Sequence, residues 1–354
     1  MVRKISICLL FLVSLEGPIH AQDMLPATSV AAPWVINPAL LTAGQLQHRA
    51  GVFHRQQWQN DDLWFGPSSA FSSIGAYSDA AFLEDKLHQA GSSSKGGYNR
   101  SRLAIGLGAW NDYTAGRTLS LTRIGGSLAY QQALSAKHEL AVGGSFQLFQ
   151  KRLDTRGLVF EDMVGQDGVI PGLASGDQFT EARASIDLAA GLVWRGRFLG
   201  QGRLPGTDKL RVEAGLAWFH LNRPSVSFTG EKQPIAIRTT AHLSAKYEPS
   251  SLLILIPRIL YSRTGPNDNN LLQYGAYVGT RVDPAVLYIG VLNTRNQGLA
   301  YQLATEYRNT FIGFSIESAK GSLGTATRGI QTFEISLVHY WRRKGKGQTD
   351  CPTF

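Results

Sequence analysis

The chain has 354 residues, with 35 Lys and Arg against 26 Asp and Glu, and a formal net charge of +9. The basic excess is dispersed and forms no cationic stripe, which argues against a nucleic-acid partner. Charged residues make up only 17 % while glycines number 38, a balance unlike that of most soluble domains of this size.

At the amino terminus, Arg3 and Lys4 precede an apolar run from Ile5 to Leu15, a break at Gly17-Pro18 and a small residue at Ala21. This pattern predicts a secretory signal over residues 1–21, cut before Gln22. The apolar run is about half the ~20 residues a spanning helix needs, and no later segment is apolar for that long. Cys8 falls within the signal and away from the cleavage site, so lipoprotein processing is not expected. Cys351 is then the one thiol of the mature chain, and no internal disulfide can form.

Residues 22–46 are expected to form a periplasmic N-terminal segment. Within it, Asn37-Pro38-Ala39 has the chemistry of a stiff turn leading into the first strand, because Pro fixes φ and Asn favours turns. A plug for a lumen, or a docking point, is the functional alternative for Asn37 and Pro38.

From about Gln47 to Trp341 the chain alternates with period two, the signature of half-buried strands. Ala184, Ile186, Leu188, Ala190, Leu192 and Trp194 share one face, and Arg183, Ser185, Asp187 and Arg195 the other. Leu210, Val212, Ala214, Leu216 and Trp218 likewise oppose Arg211, Glu213 and Gly215. Arg238, Thr240, His242, Lys246 and Glu248 oppose Ile237, Thr239, Ala241, Leu243 and Tyr247. The segments run nearer the ~9 to 11 residues of a tilted spanning strand than the ~5 to 6 of a sandwich strand.

Fourteen segments are predicted: 47–59, 67–80, 100–111, 117–131, 137–153, 183–197, 209–223, 235–248, 251–263, 270–283, 285–294, 298–308, 311–319 and 329–342. The predicted fold is all-β, a transmembrane antiparallel β-barrel of about fourteen strands occupying 47–342. A basic periplasmic tail follows at 343–354. Tight connections at Pro249-Ser250, Asp283-Pro284 and Asn309-Thr310 fall on one side, and longer ones at 154–182, 224–234, 264–269 and 320–328 on the other. Short periplasmic turns and long external loops are the outer-membrane pattern. Residues 81–97 are long for a periplasmic turn. Aromatic residues near strand ends, including Trp58, Trp64, Phe65, Trp194, Trp218, Phe219, Tyr340 and Trp341, are expected at headgroup depth.

Catalytic signatures are missing. Beyond His20 in the signal, histidines stand at 48, 54, 88, 138, 220, 242 and 339, without a Gly-x-Ser-x-Gly elbow or a His-Glu-x-x-His pair. His220 near Ser225 and Ser227 is the one rim arrangement that merits inspection. Asp154, Glu161, Asp162, Asp167 and Asp177 make the 154–182 loop acidic but lack the order of a calcium loop. No enzyme activity, metal or cofactor is expected. Arg55, Gln57 and Trp58 read as an outer-rim strand end, where polar residues meet headgroups or a partner. Arg183, Asp187, Arg211, Glu213 and Arg238 read as lumen charges that pair across the sheet or grip a guest polypeptide. Cys351, among Arg342, Arg343, Lys344 and Lys346, is a candidate for a mixed disulfide with a periplasmic partner.

Several pieces, in order, resemble the PorP/SprF membrane proteins of the type IX secretion and gliding machinery of Bacteroidetes. They are Asn37-Pro38-Ala39, Arg55-Gln56-Gln57-Trp58, Phe146 through Arg152 leading to Leu158-Val159-Phe160-Glu161-Asp162, Asp187 in a strand ending at Trp194, Asn222 through Phe228, and Cys351-Pro352-Thr353-Phe354. Together they cover nearly the whole mature chain. The resemblance implies an outer-membrane protein that anchors or displays a secreted, adhesin-like surface protein and couples to periplasmic, peptidoglycan-associated lipoproteins. Asn37, Pro38, Arg55, Gln57, Trp58, Arg183, Asp187, Arg211, Glu213, Arg238 and Cys351 are the candidate partner contacts. A passive diffusion porin is the alternative, with the 154–182 segment as a constricting loop. A secreted soluble β-protein is a second rival.

Overall fold

Alternation of apolar and polar side chains drives this chain into strands long enough to cross a bilayer, and a computed structural model shows them closed on themselves. It describes residues 27, 29–41, 46–57, 71–84, 101–114, 118–135, 137–155, 159, 161–165, 168–170, 173, 182–200, 208–225, 234–265, 269–320 and 330–342. The first strands are β1 (Leu46–Gln57), β2 (Phe71–Glu84), β3 (Ser101–Thr114), β4 (Leu119–Ala133) and β5 (His138–Leu153). A small hairpin, β6 (Val164–Gly165) and β7 (Gly168–Val169), stands in the connection that follows, after a 3-10 turn at Glu161–Met163. Then come β8 (Ala182–Phe198), β9 (Leu210–Phe219), β10 (Arg238–Tyr247), β11 (Leu253–Thr264) and β12 (Asn269–Val282). The last are β13 (Ala285–Thr294), β14 (Gly298–Tyr307), β15 (Thr310–Ala319) and β16 (Ile330–Arg342).

Apart from the β6–β7 hairpin, the strands form one closed barrel in sequence order, and β16 pairs antiparallel with β1. The barrel has fourteen strands, and each predicted segment corresponds to one of them. Closure leaves no unpaired edge in the wall, the condition for a sheet that spans hydrocarbon. No helix among the described residues is long and apolar enough to cross a membrane.

The outward face is an apolar band. Ile74, Leu107, Ile124, Val278, Ile289, Leu303 and Leu337 all project from it, and Ile289 is 63 % exposed. In water such a surface would be untenable; in a bilayer it is matched to its surroundings. An Ile289→Arg change near the middle of β13 should destabilise the folded barrel by about 2–4 kcal/mol, the depth-dependent cost of a lipid-facing cation. Urea unfolding of the protein in phospholipid vesicles would measure this, and an unchanged midpoint would exclude a lipid-facing Ile289.

Two expectations are corrected by this arrangement. Phe219 and Tyr340 do not belong to an aromatic girdle: both point inward and are buried. Trp194 and Trp341 lie on the outward face at the end of the barrel where β1 begins, and each stacks on a histidine. The Trp341 ring lies 4.3 Å from His48, and Trp194 lies 5.6 Å from His138. Trp58, Trp64 and Phe65 lie outside the described residues.

The second correction concerns the segment expected in the periplasm. Residues 29–41 and Ala27 lie within the barrel, folded as a 3-10 turn (Ser29–Ala31), a helical turn α1 (Pro33–Ile36) and a second 3-10 turn (Pro38–Leu40). Val30, Trp34, Val35, Ile36, Ala39 and Leu41 are all buried. The physical reason is composition: no charged residue occurs between Asp23 and Arg49. The wall matches it, because Ile254, Ile256 and Leu260 of β11 turn apolar side chains inward, where a water-filled lumen would call for polar ones.

Candidate functional site

The site is the seat of the internal segment, built from inward side chains of most of the wall. Two prolines shape the segment. Pro33 opens α1 and Pro38 opens the second 3-10 turn, positions where the missing N–H costs nothing and the fixed φ is already helical. Between them Asn37 caps: its Oδ1 accepts from the Ala39 N–H at 2.9 Å, while its own N–H donates to the Pro33 carbonyl at 2.9 Å.

The other half of the Asn37 amide reaches the wall. Nδ2 donates to the carbonyls of Leu192 on β8 and Leu216 on β9, both at 3.1 Å, and lies 3.3 Å from His242 Nε2 on β10. Such an approach requires bare backbone. A side chain at Gly191 would overlap Asn37 Oδ1, one at Gly143 would come within 2.6 Å of the Pro38 carbonyl, and one at Gly108 would overlap the Trp34 ring. The high glycine content therefore has a structural use: inward glycines on β3, β5, β8 and β9 form the socket in which the segment sits.

Around that socket, polar side chains of the wall donate to the segment's backbone carbonyls. Tyr77 OH reaches Val30 at 2.8 Å, Arg238 reaches Val35 at 3.2 Å, Arg49 reaches Leu40 at 3.1 Å, and Gln131 reaches Leu41 at 2.7 Å. Gln302 donates to the Ala27 carbonyl at 2.9 Å. Irregular backbone inside a barrel would otherwise bury unsatisfied carbonyls, each at a cost of about 1–3 kcal/mol.

Ion pairs hold the donors in place. Arg49 Nε lies 3.1–3.2 Å from both Asp79 carboxylate oxygens, and its Nη2 also pairs with Asp79. Arg55 forks onto Glu317 at 3.0 and 3.1 Å and meets Glu334 at 2.9 Å. Glu334 in turn accepts the Ala27 N–H at 2.8 Å. Arg195 bridges Glu213 at 2.7 Å and Glu139 at 3.0 Å. In the turn after β10, Glu248 meets Lys246 at 3.2 Å and Arg281 at 2.6 Å. Burial alone would raise the Glu248 pKa, but the two cations outweigh it and hold the carboxyl below its ordinary value.

The residues expected to contact partners are thus distributed unevenly. Asn37, Pro38, Arg55, Glu213 and Arg238 converge on the internal segment or its supports. Arg55 is not a rim residue meeting headgroups, because β1 turns it inward, as it does Phe53, and it is buried. Asp187 pairs with His220 at 2.9 Å, both buried. His220 is therefore buried against Asp187. Arg211 lies opposite Lys246 in the β9–β10 ladder, Gln57 is half-buried at the end of β1, and Arg183 is exposed. Trp58 and Cys351 lie outside the described residues. Arg49, Asp79, Glu317, Glu334, Gln131 and Gln302 were not singled out from the sequence; inward parity on a predicted strand was the signal available for each.

An Asn37→Asp change keeps the capping oxygen but places a carboxylate against the carbonyls of Leu192 and Leu216. The expected loss is about 1–3 kcal/mol, read as a lower urea midpoint. An unchanged midpoint would mean that the Nδ2 contacts contribute nothing.

Comparison with known proteins follows the same lines. Among solved structures, the TodX deltaS2S3 mutant monoaromatic hydrocarbon channel superposes with a TM-score of 0.52 at 10 % identity, covering 90 % of this chain and 94 % of that one. The Ralstonia pickettii toluene transporter TbuX superposes with a TM-score of 0.51 at 10 % identity, covering 88 % and 93 %. At such identity the likeness establishes the barrel fold alone. No curated protein matches the sequence. The family described as "Type IX secretion system membrane protein PorP/SprF" matches residues 21–339, nearly the whole chain. A closed outer-membrane barrel with that match makes the chain a member of the PorP/SprF family, a component of the type IX secretion system in the outer membrane.

Proposed function

We propose that this protein holds a secreted, adhesin-like polypeptide at the cell surface and couples it, across the outer membrane, to a periplasmic peptidoglycan-associated lipoprotein. The observation that supports holding over passive diffusion is the filled interior. Between the internal segment and the β9–β11 wall, the cavity bordered by Pro33, Ile36, Arg49, Glu213, His242 and Arg258 has a volume of about 30 Å³. That is room for water and too little for a solute between the segment and this part of the wall. The connections at the end away from the termini include the 154–181 segment with its β6–β7 hairpin, surface available for a guest outside the cell. Most candidate contacts in the lumen are engaged with the internal segment or with other wall residues, so guest contacts are assigned to these external connections and to exposed Arg183. The mechanism is capture by surfaces, with no catalytic role for any residue.

Deleting the gene tests this. The cargo should be synthesised and be absent from the surface, and tagged protein purified from outer membranes should bring down a large surface protein and a lipoprotein. Normal cargo display in the deletion strain would sink the proposal.

A further inference from the structure

The contact between Asn37 and the wall closes in only one protonation state of His242. Asn37 Oδ1 accepts the Ala39 N–H at 2.9 Å, which fixes Nδ2 as the group that faces the wall. Nδ2 then meets the carbonyls of Leu192 and Leu216 at 3.1 Å and His242 Nε2 at 3.3 Å. An amide nitrogen has hydrogens to give and accepts none. His242 Nε2 must therefore be the bare nitrogen of a neutral ring whose hydrogen is on Nδ1. The strand register permits this approach, because His242 stands opposite Gly215, where a side chain would overlap the ring and crowd Asn37 Nδ2.

A proton on Nε2 would turn that acceptor into a donor and set two N–H groups against each other. The amide cannot answer by rotating, since Oδ1 would then face the carbonyls of Leu192 and Leu216, and Nδ2 would face the Ala39 N–H. The neighbours do not absorb the new charge either. His242 borders the small cavity with Arg49 of β1, Glu213 of β9, Ser244 of its own strand and Arg258 of β11, and Arg195 of β8 adds to the field on the ring. Glu213, the carboxylate of this group, is already met by Arg195 at 2.7 Å, and the internal segment brings no charge. A cation on the ring would stand among guanidinium groups, and moving the segment away relieves the conflict at Nε2. His242 is only partly buried, so a proton can reach it.

We propose that His242 is an acid-sensitive latch: its neutral ring holds Asn37 and keeps the lumen closed, and protonation at Nε2 releases the internal segment and opens the lumen. The latch depends on the filled interior and not on the guest or the lipoprotein. The closed barrel has no place for the second proton of the ring, whereas the released state takes it up as an ordinary imidazole does, below about pH 6.5. Closure is therefore fully present above that range. As the pH falls below it, the ratio of open to closed barrels rises by up to about tenfold per pH unit.

Planar-bilayer recordings of the full-length protein test the latch, at neutral pH and one unit below the imidazole midpoint, at about pH 5.5. The wild type should show no stable conductance at neutral pH and openings about tenfold more frequent at the acid pH, reversed when neutral pH is restored. His242→Gln keeps an acceptor for Asn37 and cannot titrate, so its conductance should not respond to acid. His242→Leu cannot titrate either and should be equally unresponsive, which supplies the comparison if the glutamine variant does not fold. Heat-modifiable electrophoretic migration checks that each variant is folded. Acid opening that persists in a folded His242 variant, or a wild type silent at both pH values, would overturn the latch. A wild type that conducts equally at both would overturn it together with the closed interior, whereas the holding of a guest stands or falls separately on cargo display in the deletion strain.

Discussion

Replacing Arg55 with alanine should destabilise the barrel by about 3–5 kcal/mol, the usual penalty for stranding one side of a buried ion pair. The change leaves Glu317 and Glu334 facing each other at the seam of β1, β15 and β16, without the guanidinium that binds both. Glu334 is 1 % exposed in its side chain and cannot turn to solvent. It would take up a proton or pull away, and either response weakens its grip on the Ala27 N–H. The comparison that isolates charge from packing is Arg55→Met combined with Glu317→Gln and Glu334→Gln. That triple variant keeps acceptors for Ala27 and removes all three charges, so most of the stability should return. Urea unfolding in vesicles measures both. A single Arg55→Ala variant as stable as the wild type would mean that the seam does not depend on this pair.

The second large effect concerns permeability. Gly143 and Gly191 are seats for Pro38 and Asn37, and a side chain at either overlaps the segment. Gly143→Val with Gly191→Val should unseat the segment at an overpacking cost of about 1–3 kcal/mol per site while leaving the outward face untouched. Wild-type protein in planar bilayers should show no stable conductance, and the double variant should open channels. Conducting wild type would favour the porin reading, whereas a closed, folded double variant would show that the segment tolerates displacement within the lumen.

How much of this was legible in the residues follows from what each signal reports. Period two survives wherever one face meets hydrocarbon and the other meets anything else, so β8, β9 and β10 were readable with their inward charges. The same parity places Arg55 inward, yet the short run after it drew it to the rim. The internal segment carries no long periodicity, only turns of three or four residues, and its partners lie far away in sequence. Two hints were present: the absence of charge between Asp23 and Arg49, and β11, whose Ile254, Ile256 and Leu260 are apolar on the face that should be wet. Neither hint names a partner. The socket glycines were visible only as an abundance, because a missing side chain says nothing about what approaches it. Asn37 and Pro38 were recognised as special, and the structure supplies the reason: one amide caps a turn and clasps two strands.

The bond from Ala27 to Glu334 joins residues 307 positions apart, on the first described residue and the last strand. Contacts of such separation carry a large loop-closure entropy cost, which slows their formation until neighbouring strands have shortened the loop. A chain that has not yet delivered β16 has open edges on β1 and β15 and no carboxylate for Ala27. The internal segment is therefore enclosed by the wall as it is completed, and its final attachment coincides with the meeting of the first and last strands. Sealing of the interior and closure of the wall become a single event, so a barrel still open between β1 and β16 is also an unsealed one.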